Sequence, residues 1–485
     1  MTNAFNFNFD TTYTSLPKQF FVKQRPERVQ NPMIVHINYD LAQEIGLNLT
    51  STTQKKLSKL FSGNELPDGS TPLSQAYAGH QFGYFTMLGD GRAHLLGEHI
   101  TPNGIRLDIQ LKGSGKTPYS RSGDGRAALG PMIREYLISE AMYYLGIPTT
   151  RSLAIITTGQ EVRREALLPG SILTRIASSH IRVGTFEFAA NQRDEGLIKS
   201  LLDYTIKRHC PEVFDSSNKA VGLIENMMQK QSDLIVHWMR VGFIHGVMNT
   251  DNMTLSGETI DYGPCAFMDN YDPNTFFSSI DRGGRYSFMN QPLIAQWNLA
   301  RLIEALLPLI DNNADNAVKL GEKLIDKFSD IYKQKWLTMM RSKIGLFGNQ
   351  PEDQILIKDL LDWMHNNDAD FTNTFRDLSD GKKPTEIIYE TSSFQTWYKQ
   401  WKKRLQKNSK SWDTSVAMMR NINPIIIPRN HQVERVISAA AQGDFKHFRD
   451  FLVVLKEPFK ADGKSKPYQI PPEPRERVYQ TFCGT

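Results

Sequence analysis

His245-Gly246-Val247-Met248-Asn249-Thr250-Asp251-Asn252, followed closely by Asp261-Tyr262-Gly263, is the most informative segment of this 485-residue chain. Its amide and carboxylate oxygens are the donor groups that hard cations such as Mg²⁺ prefer. A carboxylate beside such a cation can also accept the proton of an attacking hydroxyl. The segment therefore predicts a catalytic loop and a metal-binding turn.

The spacing is that of the corresponding loop of protein kinases. Those enzymes carry His-Arg-Asp, four further residues and Asn, and later Asp-Phe-Gly. His245 and Asn252 stand at the first and last positions of the loop, and Asp261-Tyr262-Gly263 replaces Asp-Phe-Gly. Val247 stands where the catalytic Asp of a kinase is expected, and its aliphatic side chain cannot accept a proton. The nearest carboxylate that can replace it is Asp251.

A strand lysine and a helix glutamate precede this loop in the order that kinases use. Apolar and polar residues alternate over 106–112, which predicts a half-buried strand with Lys112 on its polar face. A helix is predicted over 131–145, with Glu135 in its first turn as the partner of Lys112. The ordinary alternatives are a solvated strand lysine and a glutamate favoured by the helix dipole.

Two Gly-Asp-Gly-Arg tetrapeptides bracket this strand. The first, 89–92, lies between two apolar runs, which predicts a hairpin that turns at its glycines. The second is 123–126. A plain β-turn is the ordinary alternative. The functional interpretation is a loop that lays backbone N–H groups and Arg92 over phosphates. Arg175 and Arg182, on and after a further predicted strand, could extend a basic wall for a triphosphate.

Composition narrows the classes of function. The 57 basic and 52 acidic residues give a net charge of only +5, which argues against a nucleic-acid partner. The chain has only three cysteines, which is typical of a reducing compartment, and none of them forms a Cys-x-x-Cys pair, which argues against structural zinc. No signal peptide or long apolar span is apparent, so we expect a cytoplasmic protein without a membrane partner.

The order of these parts predicts an α+β protein with a kinase-like, two-lobed fold and extensions at both ends. The expected units are an N-terminal extension (1–70) with a helix over 41–60, an N-lobe (71–188), a mostly helical C-lobe (189–420), and a C-terminal helical extension with a tail (421–485).

Over nearly its whole length the sequence also resembles the selenoprotein O family. The matching runs are 77–92, 108–115, 119–134, 171–188, 245–266 and 479–485. This resemblance implies a kinase-like fold that binds ATP flipped end for end. It also implies transfer of AMP, with release of pyrophosphate, to Ser, Thr or Tyr hydroxyls of proteins, the enzyme itself included.

The resemblance also implies roles for individual residues. Asp251 would be the general base, Asn252 and Asp261 would hold Mg²⁺ or Mn²⁺, and Glu135 would hold Lys112 in a structural ion pair. The residues implied to contact the nucleotide are Gly89, Gly91, Arg92, Lys112, Asp124, Gly125, Arg175, Arg182 and Asp261.

The C-terminal cysteine is a point of departure from the family. Relatives carry selenocysteine or cysteine near this end, here Cys483, and some bacterial relatives pair it with a cysteine near the position of Phe277. That partner is absent, which leaves a redox role for Cys483 open, with Cys265 as a conceivable substitute partner.

Three rival functions remain at this point. A kinase that transfers the γ-phosphate would share the cleft, but Val247 argues against it. A catalytically inactive nucleotide-binding scaffold would not need Asp251, Asn252 and Asp261 together. Use of UTP in place of ATP is also open.

Overall fold

The computed structural model describes residues 5–381 and 384–482, which form a sheet-rich lobe and a helical lobe on either side of a cleft. The strands, in chain order, are β1 (Phe21–Lys23), β2 (Met33–Ile37), β3 (Leu73–Gln75), β4 (Ala78–Gln81), β5 (Tyr84–Met87), β6 (Ala93–Ile100), β7 (Arg106–Lys112), β8 (Ala127–Ala128), β9 (Arg151–Arg163), β10 (Leu167–Ala177), β11 (Phe243–Ile244) and β12 (Ala266–Phe267).

The main sheet is antiparallel and runs in the order β1-β3-β6-β7-β10-β9-β2, with the short β8 paired to β10. Both of its edge strands come from the first 70 residues. Alternate residues of its strands point to opposite faces. On β10, Leu173 packs with Ile133 and Leu137 on one face, whereas Ile172 packs with the N-terminal segment on the other.

The helices, in chain order, are α1 (Tyr39–Glu44), α2 (Gln54–Phe61), α3 (Leu129–Tyr144), α4 (Val183–Asn191), α5 (Glu195–His209), α6 (Lys219–Val241), α7 (Gln291–Ile310), α8 (Ala314–Lys343), α9 (Asp353–Asn366), α10 (Phe371–Leu378), α11 (Ser392–Leu405), α12 (Trp412–Ile422), α13 (Asn430–Ala441), α14 (Lys446–Leu455) and α15 (Lys466–Gln469). The predicted α+β class is confirmed. The order of strand lysine, helix glutamate, catalytic loop and Asp-Tyr-Gly turn is that of the kinase fold.

The single helix predicted over 41–60 is wrong, because this stretch forms the two helices α1 and α2. Gly46 has a φ of +86°, a conformation that favours glycine and ends α1. The side chain of Thr53 then accepts a hydrogen bond from the Lys56 N–H and caps a new helix.

The helical lobe follows the sequence pattern more closely. α6 ends where Gly242 adopts a φ of +73°. α7 is buried along much of its length between α6, α8 and α4. Within the described residues, one segment, Phe288–Ile310, is long and apolar enough to cross a membrane, and half of its most apolar window is buried in the protein. A core helix passes the same test, so this finding is weak evidence for a membrane span.

Candidate active site

The chain enters the catalytic loop from β11 and, after the Asp-Tyr-Gly turn, continues into β12. The two strands pair and so hold the ends of this segment together. His245 is buried, and its Nε2–H donates to the Ile260 carbonyl at 2.9 Å, just before the Asp-Tyr-Gly turn. Its Nδ1 accepts from the Val247 N–H at 3.4 Å. Burial lowers the pKa of His245, so the neutral ring joins the catalytic loop to the turn.

A polar cavity of about 290 Å³ lies in the cleft. Its lining includes all nine residues predicted to contact the nucleotide and also Asp251. A second cavity, of about 380 Å³, lies between α7 and α8, but none of its lining side chains is charged. Of these two cavities, the first has the cationic lining that a triphosphate needs.

Lys112 is the centre of a buried ion-pair network. Its Nζ lies 2.5 Å from Glu135 Oε2 and also contacts Asp261 Oδ1. Arg175 Nη1 donates to the other oxygen of Glu135 at 3.3 Å. Because Lys112 and Glu135 are both about 95% buried or more, neither is the solvated side chain of the ordinary alternative.

The polar face of β7 is buried instead of half exposed. Gln110 accepts from Arg175 Nη2 at 2.6 Å and donates from its amide nitrogen to Asp90 Oδ2 at 3.2 Å. Asp90 also accepts from the Gln75 N–H at 3.2 Å. This chain of bonds gives the Gln110 amide a donor and an acceptor and fixes the first Gly-Asp-Gly-Arg segment against the strand.

The hairpin predicted to turn at Gly89–Arg92 is wrong, because the strands that flank this segment, β5 and β6, do not pair with each other; the observed hairpin lies just before the segment. β4 and β5 form it, with Phe82 (φ +51°) and Gly83 (φ +89°) at the turn. The segment 89–92 instead leads from β5 into β6. The sequence was misleading here because a non-glycine residue, Phe82, takes a positive φ, which is uncommon.

The glycines at the cavity allow close approach of other chain segments. A Cβ on Gly89 would lie 2.3 Å from the Tyr119 ring. A Cβ on Gly125 would lie 2.3 Å from the Gly115 carbonyl carbon, and Gly125 has a φ of +68°. Both positions therefore exclude side chains for steric reasons alone.

Asp124 lies at the cavity rim, where its side chain is partly exposed. Arg164 Nη1 donates to its Oδ2 at 2.8 Å, and the Arg126 N–H donates to its Oδ1 at 2.9 Å. The hydrogen bond from Arg164 lowers the pKa of this carboxyl. Arg164 therefore fixes an ionised Asp124 at the rim.

Asp251 is buried beside β4. Its Oδ1 has no hydrogen-bond partner among the described residues, and a Cβ on Gly79 would lie 2.4 Å from this atom. Burial raises the pKa of Asp251 to about 7; Arg182 opposes the shift, and Asp261 and Glu187 add to it. Arg182 Nη1 donates to the Asp251 backbone carbonyl at 3.1 Å, and its guanidinium lies over the Tyr77 ring.

Asp261 and Asn252 fit a divalent cation. Burial raises the pKa of the Asp261 carboxyl, but Lys112, then Arg92 and Arg175, outweigh burial and hold the pKa well below its ordinary value. The Asn252 amide nitrogen donates to the Val247 carbonyl at 2.9 Å, so its oxygen remains as a ligand atom. The described residues contain no cluster of three or more His, Cys, Asp or Glu side chains that could hold a metal. Two oxygen ligands completed by phosphate oxygens are typical of nucleotide-bound Mg²⁺.

Glu187 and His80, which the sequence analysis did not assign to the site, support the catalytic loop through Thr250. Glu187, on α4, accepts from Thr250 Oγ1 at 2.5 Å and also contacts His80 Nδ1. The His80 N–H donates to Thr250 Oγ1 at 2.7 Å. These residues lie 63 to 170 positions apart in sequence, and no local motif links them. Their network joins β4 and α4 to the residue that precedes Asp251.

Cys483 lies outside the described residues. The chain just before it reaches the region of Phe277, since the Thr481 N–H donates to the Phe277 carbonyl at 2.7 Å. Cys265 is buried, and burial raises the pKa of its thiol to about 12. The redox role of Cys483 stays a prediction.

The fold and the cavity together define an enzyme of kinase-like fold that acts on a nucleotide. The family model described as protein adenylyltransferase SelO matches residues 3–456. The chain belongs to this family and is a nucleotidyltransferase that uses ATP and protein substrates.

Similar proteins match along the whole chain. Protein nucleotidyltransferase YdiU of Nitrosococcus oceani is 57% identical over 99% of this chain and 97% of its own length. The protein of the same name from Alcanivorax borkumensis is 54% identical over 100% of both chains. That from Halalkalibacterium halodurans is 54% identical over 100% of this chain and 99% of its own.

Proposed function

We propose that this protein transfers AMP from ATP to Ser, Thr or Tyr hydroxyls of proteins, itself included, and releases pyrophosphate. The observation that carries the proposal is the Asp251 carboxylate, a buried group with one unpartnered oxygen at the edge of a cavity lined by cations. An unsatisfied buried polar atom is costly unless a ligand or reaction uses it.

Asp251 is the proposed general base. It accepts the proton of the acceptor hydroxyl while that oxygen bonds to the α-phosphorus and the bond to pyrophosphate breaks. Lys112, Arg175 and Arg182 are proposed to stabilise the negative charge that develops on the leaving pyrophosphate. Glu135 keeps Lys112 in place. These cations line the same cavity as Asp251, which supports the assignment.

The remaining cavity residues are proposed to position the nucleotide. Backbone N–H groups of the two glycine segments and Arg92 would contact phosphates, and Asp124 would complete the rim. Asn252 and Asp261 would hold Mg²⁺ or Mn²⁺, which when bound offsets phosphate charge. We also propose a cytoplasmic location and retain the four units of the sequence analysis, 1–70, 71–188, 189–420 and 421–485.

One feature of the sequence or of the site argues against each of two rival functions. A phosphotransferase of kinase type needs an acidic residue where Val247 stands. An inactive scaffold gains nothing from an unpartnered buried carboxylate such as that of Asp251. UTP as the donor differs only in its base and is tested as a competing substrate.

The test is incubation with ATP labelled at either the α- or the γ-phosphate, with Mg²⁺ or Mn²⁺. We expect protein-bound label from the α position only, at hydroxyl side chains identified by mass spectrometry. Label from the γ position alone would make the protein a kinase. Absence of label with ATP still bound would favour the scaffold.

Asp251→Asn separates catalysis from binding, because it keeps the shape of the side chain beside Gly79. Loss of a general base typically lowers the rate by roughly 10²–10⁴-fold. We expect that loss in AMP transfer with little change in ATP affinity. Asp233→Asn, on the exposed side of α6, is the matched control and should keep full activity.

A further inference from the structure

The β4–β5 hairpin presents a free strand edge beside the active site. β5 pairs with β4 and has no other strand partner within 5–381 and 384–482. Its side chains are unusually exposed for their type, at 79% for Tyr84 and 43% each for Phe85 and Met87. Proteins normally shield such edges, because they pair readily with other chains.

The register of the hairpin shows which backbone groups are free. Gln81 lies opposite Tyr84 across the two-residue turn, and these flanking residues form the hydrogen-bonded pair of such a hairpin. The Leu88 N–H continues this series by donating to the Tyr77 carbonyl at 3.0 Å. The N–H and C=O groups of Phe85 and Met87 therefore point away from β4.

The other side of the hairpin rests on the catalytic loop. Gly79 packs against the Asp251 carboxylate. The Phe82 N–H donates to Asn249 Oδ1 at 3.0 Å, and the His80 N–H donates to Thr250. Neighbouring strands lie about 4.8 Å apart. A strand added to β5 would thus lie two strand spacings, about 10 Å, from the strand that covers the proposed base.

Positive charge lies at the hairpin turn. The Arg285 guanidinium carbon would be 3.9 Å from a Cβ on Gly83 and is 5.0 Å from the centre of the Trp297 ring. No described carboxylate forms a salt bridge with it. Arg301 lies 4.9 Å from the same ring centre and pairs with Glu304. A segment that approaches the hairpin from this end would gain from acidic side chains.

We propose that the free edge of β5 binds an extended, acidic segment of the acceptor protein as an added strand and so delivers its hydroxyl to Asp251. The inference rests on the proposed AMP transfer, in which the acceptor is a polypeptide. Main-chain hydrogen bonds along an edge bind many sequences, because they do not depend on side-chain identity. Side-chain preference would then come from Arg285 and the exposed aromatic residues.

The test uses three synthetic peptides with one central Tyr. The first has flanking Glu residues, the second has Lys in their place, and the third repeats the first with backbone N-methyl groups at alternate positions. AMP incorporation from α-labelled ATP is measured for each peptide, beside ATP affinity and self-modification. We expect the acidic peptide to have the highest kcat/KM and the N-methylated peptide to lose about tenfold, the scale of one or two lost hydrogen bonds.

Phe85→Pro removes an outward N–H without removing a β4–β5 hydrogen bond, and Phe85→Ala is its matched control. We expect Phe85→Pro to lower kcat/KM for the acidic peptide about tenfold, with unchanged ATP affinity, and Phe85→Ala to lose less. Arg285→Glu should reverse the preference between the acidic and basic peptides, which tests the edge independently of any misfolding of the proline variant.

Each outcome bears on one proposal. Equal use of the N-methylated peptide, or an unchanged acidic-to-basic ratio in Arg285→Glu, would overturn the docking edge. So would self-modification by wild-type protein that modifies none of the peptides. Absence of AMP transfer to every acceptor would instead overturn the proposed function itself.

Discussion

The ion pair between Lys112 and Glu135 can be tested by a double-mutant cycle of Lys112→Ala and Glu135→Ala. Only 6% of the Lys112 side chain and 3% of the Glu135 side chain are exposed. Removal of one partner therefore leaves a buried charge with incomplete compensation, which costs about 3–5 kcal/mol in folding free energy.

The neighbouring groups place each single variant at the lower end of that range. In Lys112→Ala, Glu135 keeps Arg175 at 3.3 Å, but Asp261 loses its lysine. In Glu135→Ala, Lys112 keeps Asp261. We therefore expect each single variant to lose about 3 kcal/mol. The double variant should lose less than the sum by about 1–3 kcal/mol.

The measurement is urea unfolding of the four proteins, followed by AMP transfer at saturating ATP. A second cycle at the exposed helix pair Lys358 and Asp362 is the control, in which we expect a much smaller coupling because water screens exposed charges. If the losses of the two single variants add up to the loss of the double variant, within the error of the control cycle, the coupling between Lys112 and Glu135 is refuted.

The remaining predictions concern the metal ligand, the loop support and the tail. Asp261→Ala should abolish metal-dependent ATP binding in calorimetry. If the variant instead binds ATP with wild-type affinity, and EDTA removes that binding, the assignment of Asp261 as a metal ligand is contradicted. Glu187→Gln and Thr250→Val should each lower kcat for AMP transfer about ten- to hundredfold with little change in ATP affinity, because a charged hydrogen bond to the loop is lost, whereas Thr250→Ser should restore most activity. Equal activity of Thr250→Val and Thr250→Ser would exclude this positioning role. Cys483→Ser should keep activity under reducing conditions and lose any response to peroxide; loss of activity with reductant present would place the thiol in the site.

The parts of the site on regular elements could be predicted from the sequence. Alternation along β7 fixed the face of Lys112, and α3 placed Glu135 opposite it, because side-chain direction follows the strand and helix periods. The long helix α6 and its end at Gly242 followed from apolar spacing and the glycine.

Features that depend on tertiary contacts could not be predicted. The polar face of β7 appeared half exposed, since nothing local shows that Arg175 and Asp90 cover Gln110. Glu187 lies 63 residues before Thr250 and has no motif of its own. The turn at Phe82 could not be predicted, because the strain of its positive φ is offset only by tertiary contacts of the folded loop.

Arg134, the residue beside Glu135 on α3, joins the active-site helix to the C-terminal extension. Its Nη1 donates to Asn430 Oδ1 at 3.0 Å and to the Cys265 carbonyl at 3.2 Å, and its Nη2 contacts Glu434. Arg134 is 96% buried, so its contacts with Asn430 and Cys265 are shielded from water, whereas the Glu434 side chain is partly exposed.

This joint sets an order of events during protein synthesis. A ribosome that adds about 5–20 residues per second makes the partners of Arg134 on α13 roughly 15–60 s after α3 itself. Until then, the guanidinium beside Glu135 lacks two of its acceptors. A nascent chain that already contains every nucleotide-binding residue therefore still lacks a clamped α3, and the chain has to be made as far as α13 before the ATP site is complete.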